Sequence, residues 1–259
     1  MEIRRKRVKS VLISQPKPEN GRSPYLSLAK KHKLKIDFRP FIHVEEISTN
    51  EFKKQKISIL NHDAVIFTSK NAMDHYFMVC EKLRIKVPET MKYFCVSEAI
   101  AYYLQNFITY RKRKVFTGEQ MFFDLIPILK KHIECNFLLP CSNLIKERIV
   151  NTLQSNKINF TKAVMYNVVC SDLSDLKDVY YDVLVFFSPT GITSLFKNFP
   201  SFKQNETRIA AFGPTTAKSV ENYNLILDID APNEKAPSMS MALDQYIKLA
   251  NKRTRKKII

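Results

Sequence analysis

Small polar residues follow several short apolar runs of this chain, at positions where they could help to bind an anion. Ser69, Ser97 and Ser188 each lie one or two residues after such a run and can cap the helix that follows. Gly213 allows a tight bend, and Pro214 suits the first turn of a helix. Because the first N–H groups of a helix have no partner within the helix, each of these starts favours a carboxylate or a phosphate.

Residues for other kinds of chemistry show no organised pattern. The histidines have no metal-ligand spacing, and they stand at His32, His43, His62, His75 and His132. The chain has four glycines and lacks a glycine-rich dinucleotide or P-loop fingerprint. Its five cysteines form no Cys-x-x-Cys pair, and we interpret Cys80, Cys95, Cys135, Cys141 and Cys170 as reduced core thiols. We therefore expect no metal and no nucleotide enzyme of the dinucleotide-binding or P-loop class.

Short apolar runs, each followed by small polar residues and a helical pattern, predict a parallel sheet. The clearest predicted strands are 11–13, 64–67, 93–96, 137–139, 183–187 and 208–212. Apolar residues at helical spacing predict helices over 70–82 and 142–154. In an α/β sheet of this kind ligands bind at the carboxyl ends of the strands, where these helices begin.

An internal repeat is the most informative pattern of the sequence. Residues 63–73 (DAVIFTSKNAM) align with 182–192 (DVLVFFSPTGI) without a gap, and 95–101 align with 211–217 in the same order. One such pair could mean only that two buried strands precede serine-capped helices. Two consecutive pairs at nearly constant spacing indicate duplication. We therefore predict two similar α/β lobes, with parallel sheets flanked by helices and a cleft between the lobes for an anionic small molecule.

Composition agrees with two folded lobes but adds a second hypothesis. The chain has 259 residues, of which 45% are hydrophobic, and a formal net charge of +17. Nine of those charges lie in residues 1–9 and 251–257, in tails that we expect to be frayed. The cluster at 111–114 is more simply a solvated face than a binding site. No nucleic-acid recognition motif accompanies the charge, so nucleic-acid binding stays an alternative.

The sequence also bears on location. No apolar run approaches the length that crosses a bilayer, and the basic residues at the N-terminus precede no apolar signal segment. We therefore expect a cytoplasmic protein without membrane contact.

Several ordered motifs resemble the uroporphyrinogen-III synthase family, and the similarity extends from about residue 8 to residue 248. They are FTSKNA at 67–72, VMYNVV at 164–169, FSPTGI at 187–192, AFGPTTAKSV at 211–220 and APS at 236–238. The resemblance implies two lobes joined by a two-stranded β connector. It implies a discontinuous lobe of 8–36 and 170–250, an inserted lobe of 43–162, connectors at 37–42 and 163–169, and basic tails at 1–7 and 251–259.

The resemblance also implies an activity. Hydroxymethylbilane, a linear tetrapyrrole octacarboxylate, would lose water and close to uroporphyrinogen III, with its last ring inverted through a spiro intermediate, in heme biosynthesis. The enzyme would be a cofactor-free, cyclising hydro-lyase and a monomer. A non-catalytic tetrapyrrole-binding paralogue is the other alternative.

Site residues follow from the same resemblance. Tyr166 falls on the position of the family's tyrosine and would assist the departing hydroxyl, although it could equally be an ordinary strand residue at a lobe junction. The substrate-binding candidates are Thr68, Ser69, Ser97, Ser188, Pro189, Gly213, Thr215, Thr216 and Ser238. The chain departs from the family's pattern in two places. Gln15 replaces an arginine. In the Gly-x-x-Thr-Ala motif, Ser97 and Ile100 stand in place of the glycine and the threonine, which removes a hydroxyl, and Glu98 adds a carboxylate.

Overall fold

The computed structural model describes residues 6–18 and 23–252. The strands are β1 (Ser10–Ile13), β2 (Lys35–Phe38), β3 (Ile42–Glu46), β4 (Ala64–Phe67), β5 (Lys92–Cys95), β6 (Val115–Thr117), β7 (Phe137–Ser142), β8 (Phe160–Cys170), β9 (Val183–Phe186), β10 (Arg208–Phe212) and β11 (Leu227–Ala231). The α-helices are α1 (Pro24–His32), α2 (Thr49–Lys54), α3 (Lys70–Lys82), α4 (Glu98–Tyr103), α5 (Ile126–Lys130), α6 (Glu147–Ser155), α7 (Pro189–Asn198), α8 (Pro214–Asn222) and α9 (Met239–Ala250). Short 3₁₀ helices occur at Ile59–Asn61, Leu104–Asn106, Lys112–Lys114, Phe122–Leu125 and Ser174–Leu176.

The chain divides into two compact units. Unit 1 comprises the described residues of Met1–His43 and Cys170–Ile259, and unit 2 is Val44–Val169. The α/β class with two mostly parallel sheets, predicted from the sequence, is confirmed. The frayed tails predicted for residues 1–7 and 251–259 lie largely outside the described residues, and the domain bounds stay a prediction.

The two sheets have related strand orders. The five-stranded sheet has the order β11-β10-β9-β1-β2, with every neighbouring pair parallel. The six-stranded sheet has the order β3-β8-β7-β4-β5-β6, in which β6-β5-β4-β7-β8 repeats the first order when β4 is matched to β9 and β7 to β1. Five strands therefore follow the same order in both sheets, with β3 added at one edge of the second, and this supports the duplication that the sequence indicates.

Helices cover both faces of each sheet. In the five-stranded sheet α1 and α9 pack on one face, with Leu28 and Leu243 in the core, and α7 and α8 pack on the other, with Ile192 and Val220. In the six-stranded sheet α3 contributes Met73 to one core and α6 contributes Leu153 to the other. Burial on both faces explains why the strands read as continuous apolar runs.

The predicted strands are confirmed, and so is the helix over 70–82. The helix predicted over 142–154 is wrong at its beginning, because β7 continues through Ser142 and α6 begins at Glu147. All six residues of β7 are buried, and they pair with β8 up to Ser142. Pairing and burial therefore outweigh the helical spacing of apolar residues over the first turn.

An aspartate precedes the first repeated strand in each unit and binds the neighbouring strand. Asp182 Oδ2 accepts hydrogen bonds from the N–H groups of Lys9 and Ser10, at 2.8 and 2.9 Å. Asp63 Oδ2 accepts one from the N–H group of Asn136, at 2.9 Å. The two carboxylates therefore accept backbone hydrogen bonds at matched positions, at the start of β1 and just before β7.

These two aspartates provide a matched test of stability. Asp182 is 7% exposed and lies 3.9 Å from Arg208, whose side chain is fully buried, whereas Asp63 is exposed. We expect Asp182→Ala to lower the free energy of unfolding by about 3 kcal/mol, because it removes the acceptor of the Lys9 and Ser10 N–H groups and a carboxylate near the buried charge of Arg208. Asp63→Ala should cost about 1 kcal/mol, the value of one hydrogen bond. Chemical denaturation of both variants measures the difference, and equal losses would contradict this account of Arg208.

No helix among the described residues is long and apolar enough to cross a bilayer.

Candidate functional site

The carboxyl edge of the unit 1 sheet carries the start of α7. Ser188 has extended backbone angles, and its side chain accepts a hydrogen bond from the N–H of Gly191 at 3.3 Å, so its predicted capping role is confirmed. Pro189 occupies the first turn, where its missing N–H costs nothing. A Cβ built on Gly191 would lie 3.8 Å from Ser188 Oγ and 3.9 Å from Ser14 Oγ. The end of β1 and the start of α7 therefore meet at one place on this edge.

The start of α8 lies on the same edge and depends on a glycine. Gly213 has φ 86° and ψ 151°, a region that only glycine adopts without strain, and its N–H donates to the carbonyl of Ala231 at 2.6 Å. Thr215 is exposed at the second helical position, whereas Thr216 is 1% exposed. The side chain of Thr216 therefore packs inside unit 1, and Thr215 is the threonine that is exposed to solvent at the carboxyl edge of the sheet.

Ser238 caps α9, the helix that follows β11. Its side chain accepts a hydrogen bond from the N–H of Met241 at 3.3 Å and lies 3.1 Å from Ser240 Oγ. The helices α7, α8 and α9 of unit 1 thus begin after β9, β10 and β11. The caps pair the N–H groups of Gly191 and Met241, and the other N–H groups of each first turn have no partner within the helix, so each start is suited to a carboxylate.

In unit 2 the two predicted caps differ. Ser69 accepts a hydrogen bond from the N–H of Ala72 at 3.1 Å, so this cap is confirmed. Ser97 precedes α4, but its side chain makes no capping hydrogen bond, so the prediction that it caps by its side chain is wrong. The exposed Glu98 follows at the first helical position, where a carboxylate is favourable to the helix dipole but opposes an anionic ligand.

The difference between these serines is measurable. We expect Ser69→Ala to lower the free energy of unfolding by about 1 kcal/mol, because α3 loses its side-chain cap. Ser97→Ala should change it by less than about 0.5 kcal/mol, since no capping bond is lost. Thermal or chemical denaturation of the two variants makes the comparison, and a larger loss in Ser97→Ala would contradict the assignment.

Tyr166 lies on β8, and a β-bulge determines which way it faces. In the pairing of β7 with β8, Cys141 is opposite Val164 but Ser142 is opposite Tyr166, so β8 has one extra residue at Met165. Side chains alternate along a strand, and without the extra residue Tyr166 would face the side away from α3. With it, both Met165 and Tyr166 belong to the core that packs against α3.

The phenol of Tyr166 lies at the carboxyl edge of the unit 2 sheet. The side chain is 8% exposed. Burial raises the pKa of Tyr166, while hydrogen bonds with the side chains of Ser69 and Ser142 oppose that rise. A pKa above the ordinary value of about 10 keeps the phenol protonated at neutral pH, so Tyr166 can donate a hydrogen bond to a ligand. The sequence predicted Tyr166 and Ser69 separately, and the structure brings them together.

Sequence reasoning missed two neighbours of this phenol. Ser142 stood at the beginning of a predicted helix, whereas the structure places it at the end of β7, opposite Tyr166. His75 was grouped with the scattered histidines, yet its ring stacks on that of Tyr166 with centroids 4.7 Å apart. His75 lies in α3, six residues after Ser69. No sequence pattern shows that Tyr166 of β8 packs against this helix.

One cluster elsewhere in unit 2 has the composition of a metal site. His132, Glu134 and Cys135 bring possible ligand atoms within 4.8 Å of one another. Lys92 Nζ lies 3.5 Å from His132 Nδ1, 3.5 Å from Cys135 Sγ and 3.7 Å from Glu134 Oε1. An ammonium group so placed repels a divalent cation, and burial raises the pKa of the Cys135 thiol. These residues therefore do not favour a metal, and its absence stays an expectation.

Comparisons with known proteins agree with this geometry. The family model described as "Uroporphyrinogen-III synthase HemD" matches residues 23–240. Among solved structures, a uroporphyrinogen-III synthetase from Helicobacter pylori is 19% identical with a TM-score of 0.59, covering 93% of this chain and 99% of that one. A mutant uroporphyrinogen III synthase from Thermus thermophilus is 13% identical with a TM-score of 0.56, covering 93% and 98%. No curated protein sequence matches significantly.

Proposed function

Because the chain belongs to the uroporphyrinogen-III synthase family, we propose that Tyr166 and the helix starts at the carboxyl edges of its two sheets carry out that family's reaction. The enzyme is a cyclising lyase of heme biosynthesis that acts on a tetrapyrrole. The comparisons favour neither a non-catalytic paralogue nor a nucleic-acid-binding protein.

The observation that carries the proposal is the placement of Tyr166 at the carboxyl end of β7, opposite Ser142 and in the core beside α3. The side chains of Ser69 and Ser142 also influence the pKa of its phenol. When hydroxymethylbilane cyclises, the carbon–oxygen bond of its terminal hydroxymethyl group breaks, and the hydroxyl leaves as water after it gains a proton. A protonated phenol can donate a hydrogen bond to that oxygen as the bond breaks. Its position at the start of α3 also places it where negative charge is stabilised.

The helix starts are proposed to bind the carboxylates of the substrate. In unit 1 the N–H groups that follow Ser188, Gly213 and Ser238 lie at the ends of α7, α8 and α9 that favour anions. Side chains proposed to contribute to binding at these starts, and at those of unit 2, are those of Thr68, Ser69, Ser97, Ser188, Pro189, Thr215 and Ser238. Thr216 is assigned to the packing of α8, because its side chain is buried. Binding in fixed positions then supplies the selectivity.

The proposal extends to a cofactor-free monomer that acts in the cytoplasm. Light scattering during size-exclusion chromatography tests whether the chain is a monomer, since a mass near 30.2 kDa is predicted for the purified chain. Fractionation of cells that express the full chain tests the cytoplasmic location.

Turnover provides the direct test of the proposal. Purified protein is mixed with hydroxymethylbilane, and the remaining substrate is measured by chromatography over time. We expect consumption faster than the spontaneous reaction, proportional to protein and saturable in substrate. Consumption at the spontaneous rate over a wide range of protein concentration would refute the proposal.

A further inference from the structure

His75 is the neighbour of Tyr166 that neither the family motifs nor the reaction assigns. Its imidazole ring stacks on the phenol ring with centroids 4.7 Å apart and an interplanar angle of 30°. His75 lies on α3, six residues after Ser69, and the rise of about 1.5 Å per residue separates the two by about 9 Å along the helix. A tyrosine that stacks on His75 and interacts with Ser69 therefore has its hydroxyl towards the N-terminus of α3.

The orientation of the imidazole is itself fixed. His75 Nδ1 lies 2.7 Å from the carbonyl oxygen of Asn71, one turn earlier in α3. Because a carbonyl oxygen can only accept, Nδ1 carries a proton and donates it. The ring is thereby held against its own helix and presents one face to Tyr166. The carboxylate of Glu46, which is itself paired with Lys82, is close enough to His75 to interact with it electrostatically.

Tyr166 needs such support because its own strand is irregular at this point. The bulge at Met165 interrupts the regular pairing of β7 with β8 immediately before Tyr166. The side chains of Ser69 and Ser142 act on the phenol oxygen alone, at the far end of the side chain, and they do not fix the tilt of the ring. A stacked aromatic ring restricts the remaining motion, since offset stacking favours a defined separation and tilt.

We propose that His75 is a positioning residue, whose ring holds the Tyr166 phenol in the orientation required for turnover. This inference rests on the proposed role of Tyr166 and deepens it. His75 acts through Tyr166 and not on the substrate, so its ring is what matters, and Nδ1 contributes only through the hydrogen bond to Asn71 that orients this ring. Supporting groups of this kind commonly decide whether a catalytic side chain is held accurately enough.

Two variants of the full chain separate the ring from its chemistry. His75→Ala removes the stacked ring but keeps α3, because alanine is a strong helix former. We expect kcat to fall by about tenfold, with KM nearly unchanged, since a small misplacement of a catalytic group is costly. His75→Phe restores a flat ring but not the hydrogen bond to Asn71, and we expect most of the lost kcat to return, to within about threefold of the parent, because the stacked ring itself is kept. An unchanged kcat in His75→Ala, or equal losses in both variants, would overturn the proposal.

A double variant shows whether the effect passes through Tyr166. In the Tyr166→Phe background, His75→Ala should cause no further loss of kcat, because the group that it positions has already lost its hydroxyl. A further loss of full size would mean that His75 acts independently, and the proposal would fall.

A readout independent of activity keeps this proposal separate from the role of Tyr166 in catalysis. With ring-labelled tyrosine, the Tyr166 resonance is assigned by its loss in Tyr166→Phe, and its chemical shift reports the stacked ring. We expect a clear change of shift in His75→Ala and a stacked shift in His75→Phe. If Tyr166→Phe kept full activity, the catalytic role of Tyr166 would fail, while these shifts would still decide whether His75 holds the ring. An unchanged shift in His75→Ala would refute the positioning.

Discussion

Replacing Tyr166 with phenylalanine is expected to lower kcat for hydroxymethylbilane by about a hundredfold, the lower range for loss of a general acid. The substitution keeps the ring, its stacking on His75 and its burial in the core beside α3. It removes only the hydroxyl that lies beside Ser69 and Ser142. The free energy of unfolding should fall by about 1 kcal/mol, as for a lost hydrogen bond. Steady-state kinetics and denaturation of the same preparation measure both quantities.

A second buried tyrosine supplies the control. Tyr93 is 4% exposed, belongs to the same core, and lies on β5 near the beginning of the strand, away from its carboxyl end. Tyr93→Phe should leave kcat within about twofold of the parent, since it removes a phenol that is away from the proposed site. If Tyr166→Phe lost no more activity than Tyr93→Phe, Tyr166 would be a structural strand residue and another group would assist the departing hydroxyl.

The second large effect is expected at the start of α8. Thr215→Glu places a carboxylate at an exposed position where the proposal puts a carboxylate of the substrate. We expect KM to rise by about tenfold, because like charges then compete for the same N–H groups. Stability should not fall and should increase by about 0.5 kcal/mol, since a negative charge near a helix N-terminus is favourable.

Thr215→Gln is the matched variant, with similar size and no charge. It should leave KM within about twofold, since no like charge is introduced. In Thr215→Glu substrate binding should weaken while the free energy of unfolding increases. This combination is diagnostic, because a misfolded or loosened α8 would weaken binding and lower stability together. An unchanged KM in Thr215→Glu would show that the start of α8 binds no part of the substrate.

Much of the fold follows from local physical rules that are visible in the sequence. Strands buried on both faces require continuous apolar runs, and β4 and β9 therefore stand out at matched positions of the repeat. Serine caps also follow from chemistry, since Ser69 and Ser188 precede helices whose first N–H groups need an acceptor. These rules located the edges of the sheets where the candidate site residues lie.

The remainder depends on tertiary contacts that a linear pattern does not contain. Ser97 precedes a helix as Ser69 does, but α4 has only six residues and the serine makes no capping bond. Ser142 belongs to β7 because β8 pairs with it, although the residues around it have helical spacing. The direction of Tyr166 depends on one extra residue in β8, and its contact with His75 depends on how β8 passes α3. Strand register and packing determine where β7 ends and which way Tyr166 faces, and one inserted residue is enough to reverse the direction of a side chain.

We expect this chain to close the tetrapyrrole with its last ring inverted. The most direct measurement is the isomer composition of the porphyrins formed from hydroxymethylbilane after oxidation, with and without the protein. We expect the type III isomer to predominate with the parent chain and the type I isomer to predominate in its absence, with Tyr166→Phe intermediate at equal protein. The type I isomer alone at every protein concentration would contradict the account.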